Sequence, residues 1–379
     1  MLEQTPKRIA NFEIVRELGR GGMGCVYLAR QMKLTSEGGE VALRDIALKV
    51  LPMQATRNPR EQKEYTEAKE RFDAEVRAIS HLECDNIVRL YDSGFANNVQ
   101  FLAMQYVDGP SLYDIVQRYK KTMPIDKIIG YTKQICRGLL YAHNKGIIHR
   151  DIKPQNILVS KENDKCHIAD FGIARIRREG RLTMVGMAVG TPEYMSPEQA
   201  SGKNLDNQTD IYSLGILIYE MCTGNPPFYG NDPVSVAYQQ VHEEPKKPSK
   251  IRHDIPVRLE KIIMKALKKN KSERYKTASE ILKDLDALEK EEKSSISADF
   301  VNTRVPPQQV VQQPNPYAYR RELPPRQRID KRITNYLFPK QSTKEATKDR
   351  NGLMLAIIFL SIFLGMALGV IIILLMQSS

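Results

Sequence analysis

The chain has 379 residues, 41% of them apolar and 27% charged, a globular composition with room for one large catalytic domain or two ordinary ones, which excludes wholesale disorder. About half of the formal charge of +12 sits in residues 294–350, ahead of an uncharged apolar run, where a basic segment meets anionic lipid; no nucleic-acid partner is expected. The five cysteines are odd in number and form no C-x-x-C pair, so reduced cytosolic thiols are expected rather than a disulfide framework or a zinc site, and nothing near Met1 resembles an export signal.

From Asn11 to about Lys293 the hydrophobic periodicity is regular. Phe12 and Ile14 alternate with polar neighbours, a glycine-rich turn follows, and Val26 and Leu28 resume the alternation, which predicts strand, turn, strand. Ile46 to Val50 predicts a third strand. Phe72, Val76, Ile79 and Leu82 recur at helical spacing and predict a helix that carries Glu75. Further helices are marked by Ile128, Thr132, Ile135, Leu139 and Ala142, by Ile211 to Met221 with apolar residues on nearly every side, by Leu259 to Leu267, and by Ala278 to Leu288. Residues 294–350 are polar, basic and proline-bearing, with Pro306-Pro307, Pro314, Pro316 and Pro324-Pro325, and lack the apolar residues to build a core.

Gly19-Arg20-Gly21-Gly22-Met23-Gly24-Cys25-Val26 fits G-x-G-x-x-G-x-V, whose glycines let backbone N–H groups approach a phosphate chain. The same spacing suits a Rossmann dinucleotide turn, which would lead into a helix, or a plain glycine hairpin. Lys49 ends an apolar strand, where a buried ammonium is costly unless paired. Glu75 can pair with it and leave it to hold the α- and β-phosphates; the other reading is an edge lysine facing water. His149-Arg150-Asp151-Ile152-Lys153-Pro154-Gln155-Asn156, followed by Asp170-Phe171-Gly172, supplies what phosphoryl transfer requires. Asp151 can orient an acceptor hydroxyl and take its proton, Lys153 can reach the γ-phosphate, and Asn156 and Asp170 can hold Mg²⁺, or Mn²⁺ in its place.

On these motifs the sequence resembles the eukaryotic-like (Hanks-type) protein kinases from about Phe12 to Leu288, with Ser196-Pro197-Glu198 replacing the usual A-P-E by one small residue. Lys153 within D-I-K-P-Q-N is similar to the Ser/Thr branch. The resemblance implies an α+β, two-lobed fold: a small, mostly β lobe over 12–107 and a larger, mostly α lobe over 108–293. It also implies ATP between them, its adenine against Met104-Gln105-Tyr106-Val107, with Met104 as gatekeeper and Val26, Ala47 and Leu158 lining the base pocket. A phosphorylated Thr183 pairing with Arg150, a docking role for Thr191 in Gly190-Thr191-Pro192-Glu193-Tyr194, and an ion pair of Glu198 with Arg274 are further implications.

Residues 353–376 form an apolar run of about 24 residues, roughly 36 Å as a helix, enough to cross a hydrocarbon core of about 30 Å. The expected order is kinase, disordered linker over 294–350, one transmembrane helix over 353–376, and a short tail over 377–379. Lys344, Lys348 and Arg350 on its N-terminal side predict a cytoplasmic kinase anchored in the cell membrane. Ser361, Gly365 and Gly369 stand four apart and suit a homodimer of spans. This arrangement resembles bacterial receptor-type Ser/Thr kinases, which act on protein substrates and commonly carry an external sensor, although only Gln377 to Ser379 follow the span here. The competing readings are a nucleotide-binding pseudokinase scaffold, which predicts loss of Lys49, Asp151 or Asp170, and a small-molecule phosphotransferase, which predicts no segment from Thr191 to Glu198.

Overall fold

The computed structural model describes residues 7–21, 24–52, 70, 73–74, 76–97, 99–171 and 192–302. The expected span over 353–376, the linker beyond 302, and Gly22, Met23, Glu75, Thr183 and Thr191 lie outside the described residues, and among the described ones no helix is long and apolar enough to cross a membrane.

The N-terminal part is a six-stranded antiparallel sheet in the order β1-β2-β3-β4-β6-β5. Its strands are β1 (Arg8–Ile9), β2 (Phe12–Gly21), β3 (Gly24–Leu34), β4 (Glu40–Pro52), β5 (Leu90–Ala96) and β6 (Val99–Gln105). Residues paired directly across a sheet share a face, and alternate residues along a strand return to it. Cys25, Tyr27, Ala29, Ile46, Leu48, Val50, Phe101 and Ala103 therefore bury one face together with Phe12. The other face presents Val26, Lys49 and Leu102 in one row and Leu28, Ala47 and Met104 in the next. Leu102 and Met104 pack against the core of the helical part, so this second face looks toward the rest of the protein.

The glycine-rich segment joins two strands: Gly19 pairs with Val26, Arg20 with Cys25 and Gly21 with Gly24. A strand after the glycines rules out the Rossmann turn. Gly24 adopts φ +135°, and a Cβ there would lie 2.0 Å from the carbonyl oxygen of Val50, whereas a Cβ on Gly19 or Gly21 meets nothing within 4 Å. The fold itself therefore demands Gly24 but not Gly19 or Gly21. Gly24→Ala is expected to cost at least about 2 kcal/mol and visibly lower the melting temperature. Gly21→Ala should leave melting unchanged while raising the ATP KM several-fold, since its methyl enters the open side of the loop; scanning calorimetry and initial rates on both variants check the contrast.

The larger part is helical. It contains α1 (Leu112–Tyr119), α2 (Ile125–Asn144), α3 (Pro197–Ala200), α4 (Asn207–Thr223), α5 (Pro233–His242), α6 (Val257–Ala266) and α7 (Ala278–Asn302), with a small hairpin of β7 (Ile157–Val159) and β8 (Cys166–Ile168). α4 is the central post: Thr209 to Thr223 are all buried, and the helix stops at Gly224 in the left-handed region, φ 85°. Asp206 caps its start by accepting from the Gln208 N–H. α7 continues to Asn302, past the boundary expected at 293, so the linker's first residues are helical. Of the predicted helix around Glu75, residues 76–80 are helical; Val76 and Ile79 are buried on it and Leu82 just beyond its end. All five cysteines are free, and burial pushes the thiols of Cys136 and Cys222 up to about 12.

Candidate active site

The loop between α2 and β7 carries His149 to Asn156. The Asn156 side-chain amide donates to the Asp151 carbonyl at 2.8 Å and to its Oδ2 at 3.1 Å. Lys153 Nζ lies 2.8 Å from the same Oδ2. Asp151 is thus fixed by one neutral donor and one cation within its own loop. With Nδ2 used on Asp151, Asn156 keeps Oδ1 free of any donor among the described residues, as an oxygen ligand for a hard cation.

Asp170 follows β8 and is tied to that loop through Ala169. The Ala169 N–H donates to the Asn156 carbonyl at 2.8 Å, and the Ala169 carbonyl accepts from His149 Nε2 at 2.9 Å. That carbonyl can only accept, so the His149 proton sits on Nε2, leaving Nδ1 to accept the Asp151 N–H at 3.2 Å. The His149 ring is fully buried with its centroid 4.6 Å from that of Phe171. Asp170 itself has φ 57° and its Oδ1 is 2.6 Å from Lys49 Nζ, across the gap between sheet and helices. Lys49 is therefore buried and paired, with Asp170 as the described partner; the expected partner, Glu75, lies outside the described residues.

Arg150 also has a left-handed backbone, φ 66°, which costs on the order of 1–3 kcal/mol and needs support from its surroundings. Asp210, wholly buried on α4, supplies it: its carboxylate accepts from the N–H groups of Arg150 at 2.7 Å and His149 at 2.8 Å, and from His143 Nε2 at 2.7 Å. Gln199 Nε2 holds the Arg150 carbonyl from the other side at 2.8 Å. Neither Asp210 nor Gln199 stood out in the sequence, because both act at long range on backbone atoms.

Of the base-pocket residues, Val26, Ala47 and Met104 share the inner face of the sheet, half-buried. Leu158 is half-buried on β7, bridging Ser111. Tyr106 and Val107 follow β6, and their backbone groups have no hydrogen-bond partner among the described residues although Val107 is buried, which leaves donors and acceptors for the edge of a purine. The Cys25 side chain packs on the opposite face, so that residue can reach a nucleotide only through its backbone; Arg20 pairs with Glu17 at 2.6 Å on the surface. Among the described residues no three His, Cys, Asp or Glu side chains converge as a metal cage. A pair of oxygen donors such as Asn156 and Asp170 nevertheless fits Mg²⁺, which commonly takes one or two protein ligands and completes its shell with phosphates and water.

A family model described as protein kinase domain matches residues 12–285. The chain belongs to the protein kinase family. This kinase is 41% identical over 287 residues to the serine/threonine-protein kinase PknB of Mycobacterium leprae, across 74% of this chain and 43% of that one. It is 38% identical to a probable serine/threonine-protein kinase of Clostridium perfringens, across 76% and 39%. The kinase thus spans less than half the length of these curated relatives. Among solved structures, the Mycobacterium tuberculosis PknI kinase domain matches with TM-score 0.56 and 25% identity, over 74% of this kinase and 97% of that domain, as the two-lobed fold requires. The pair joining Glu198 to Arg274 is present as a double contact, at 2.8 and 2.9 Å, between buried side chains.

A third buried carboxyl belongs to Glu220 on α4, which accepts the Tyr194 hydroxyl at 2.6 Å. Burial pushes it up to about 7, the Tyr194 hydrogen bond opposing only part of the effect. The native carboxyl keeps its proton up to about pH 7 while an unfolded one releases it near 4.5, so this group's contribution is full below 4.5 and lost as pH rises through 7. Glu220→Gln should remove a decline of about 3 kcal/mol between pH 5 and 8. Urea unfolding at both pH values reads the difference, and parallel curves for the two proteins would contradict it.

Proposed function

We propose that this kinase transfers the γ-phosphoryl group of ATP to Ser and Thr hydroxyls of proteins, with Asp151 as the base that orients the acceptor hydroxyl and takes its proton. The observation that carries this reading is the fixing of the Asp151 carboxylate by Lys153 and Asn156, in a loop joined through Ala169 to Asp170. Lys153 stands beside the base, where it can balance charge on the transferring group. Lys49 holds the α- and β-phosphates, Gly19 to Val26 cover them, and Val26, Ala47, Met104, Tyr106, Val107 and Leu158 enclose the base. Asn156 and Asp170 would hold Mg²⁺, or Mn²⁺, which would supply positive charge to neutralise phosphate oxygens. The pseudokinase reading loses ground because Lys49, Asp151 and Asp170 are all present.

Regulation by a phosphate on Thr183 that would pair with Arg150, and docking at Thr191, belong to the same proposal. So does a single membrane span over 353–376 with a cytoplasmic kinase, a basic linker against anionic lipid, and pairing of spans through Ser361, Gly365 and Gly369, which rests on the apolar run and its flanking charges. Radiolabelled ATP with Mg²⁺ and the full chain, followed by phosphoamino-acid analysis, tests the reaction: label on Ser or Thr is expected, and no label sinks the reading. Carbonate extraction of membranes tests the span, which release into the supernatant would exclude.

A further inference from the structure

Gln240 is a polar residue on the inner face of α5, and it is wholly buried. A buried amide needs partners for one oxygen and two N–H groups. Here Nε2 donates to the carbonyls of Glu193 at 2.7 Å and Pro192 at 3.2 Å, while Oε1 accepts the Tyr212 hydroxyl at 2.8 Å. Two carbonyls on one side and a hydroxyl on the other fix which way the amide faces. The Tyr212 oxygen in turn accepts from Lys269 Nζ at 3.0 Å. The ammonium spends its other two protons on the carbonyls of Gln239 at 3.2 Å and Gln240 at 2.8 Å in the last turn of α5; the first of these also accepts the Glu243 N–H that closes the helix, at 3.0 Å.

The segment held in this way has no strand partner among the described residues. Three successive carbonyls are bonded by side chains of α4 and α5: those of Pro192 and Glu193 by Gln240, and that of Tyr194 by Ser213 Oγ at 2.8 Å. A few residues on, Gln199 grips the Arg150 carbonyl next to Asp151. On the proposed docking role of Thr191, the residue before Pro192, the acceptor chain lies beside this segment on its way to Asp151, so its place is set by Gln240 and Ser213 rather than by groups assigned to ATP or to the base.

Building on the protein-kinase reading above, we propose that Gln240 is a positioning residue for the protein substrate, holding the Pro192–Glu193 backbone where an acceptor chain docks. Gln199 and the Ser196 cap, which accepts the Gln199 N–H at 3.3 Å, hold the catalytic loop independently of it. Loss of Gln240 therefore weakens substrate binding and spares the chemical step.

The test uses the full chain with dephosphorylated casein as acceptor. Gln240→Met keeps the volume and removes both sets of hydrogen bonds; the casein KM should rise about tenfold, with kcat and the ATP KM changing by less than about twofold. Tyr212→Phe removes only the hydroxyl that orients the amide, and should raise the casein KM about threefold; it decides the matter if Gln240→Met does not fold. Hydrogen exchange at the Glu193 to Met195 amides, which needs no turnover, should quicken about tenfold in Gln240→Met. A wild-type chain without transfer would refute the kinase reading, while slow, unchanged exchange in the variant would refute the role of Gln240. An unchanged casein KM, or kcat falling as far as the casein KM rises, would overturn the proposal as well.

Discussion

Asp151→Asn is expected to lower kcat by about 10³-fold, within the range that loss of a positioned base commonly costs, with ATP binding and melting temperature little changed. The reason lies in the contacts. An asparagine at this position can still accept from Lys153 and Asn156, which hold the carboxylate at 2.8 and 3.1 Å, so the loop keeps its shape. What it loses is the ability to take a proton from the acceptor hydroxyl. Single-turnover rates with labelled ATP, alongside calorimetric titration of ATP, separate chemistry from binding. A variant that turns over at the wild-type rate would remove Asp151 from the role of base.

The largest effect on stability is expected at Arg274. Its side chain is fully buried and donates to both oxygens of Glu198, and to the carbonyls of Gln208, Lys268 and Lys269. Burial pushes the Glu198 carboxyl up, yet the Arg274 hydrogen bonds outweigh it and hold the group below its ordinary value. Arg274→Ala leaves that carboxylate buried without its partner, at a cost of about 3–5 kcal/mol, or roughly 10 °C of melting temperature for a domain of this size. The sign of the pH dependence follows. A lowered carboxyl contributes stability above its unfolded value of 4.5 and loses it as pH falls through the folded value, so the gap between wild type and variant should be wide at pH 7 and narrower toward pH 4. A gap independent of pH would mean that lost packing, not the stranded charge, is responsible. Arg274→Lys, which restores one charge but not the fork, should recover only part of the loss.

Much of the site could be read from the chain before any coordinates because its groups lie close in sequence. His149, Asp151, Lys153 and Asn156 occupy one loop, and residue type and spacing carry the chemistry. The glycine-rich segment was ambiguous until the strand pairing of Gly19 with Val26 decided between hairpin and helix. Asp210 and Gln240 could not be found this way. Each is a polar residue in a helix, and its task is defined by backbone groups 60 and 47 positions away. α5 left no apolar stripe to announce it, since its buried residues are one valine and one glutamine. The helices that were expected, over Ile128 to Ala142 and Ile211 to Met221, are those that bury wide apolar faces. Composition alone places the linker boundary at 293, because it does not register that the polar stretch after Leu288 continues an established helix to Asn302.

The contact of Lys49 with Asp170, at 2.6 Å, has a bearing on how the site handles charge. Two opposite charges that close on each other present little net field to an approaching polyanion. On the roles proposed for Lys49 and Asp170, loading the site with ATP and Mg²⁺ exchanges one internal ion pair for two external ones, ammonium with phosphate and carboxylate with divalent cation. A polyanion arriving alone would strand Asp170, and a cation arriving alone would strand Lys49. The charge balance closes only when both come together, so on the proposed roles the pair favours the metal-loaded form of the ligand over either part.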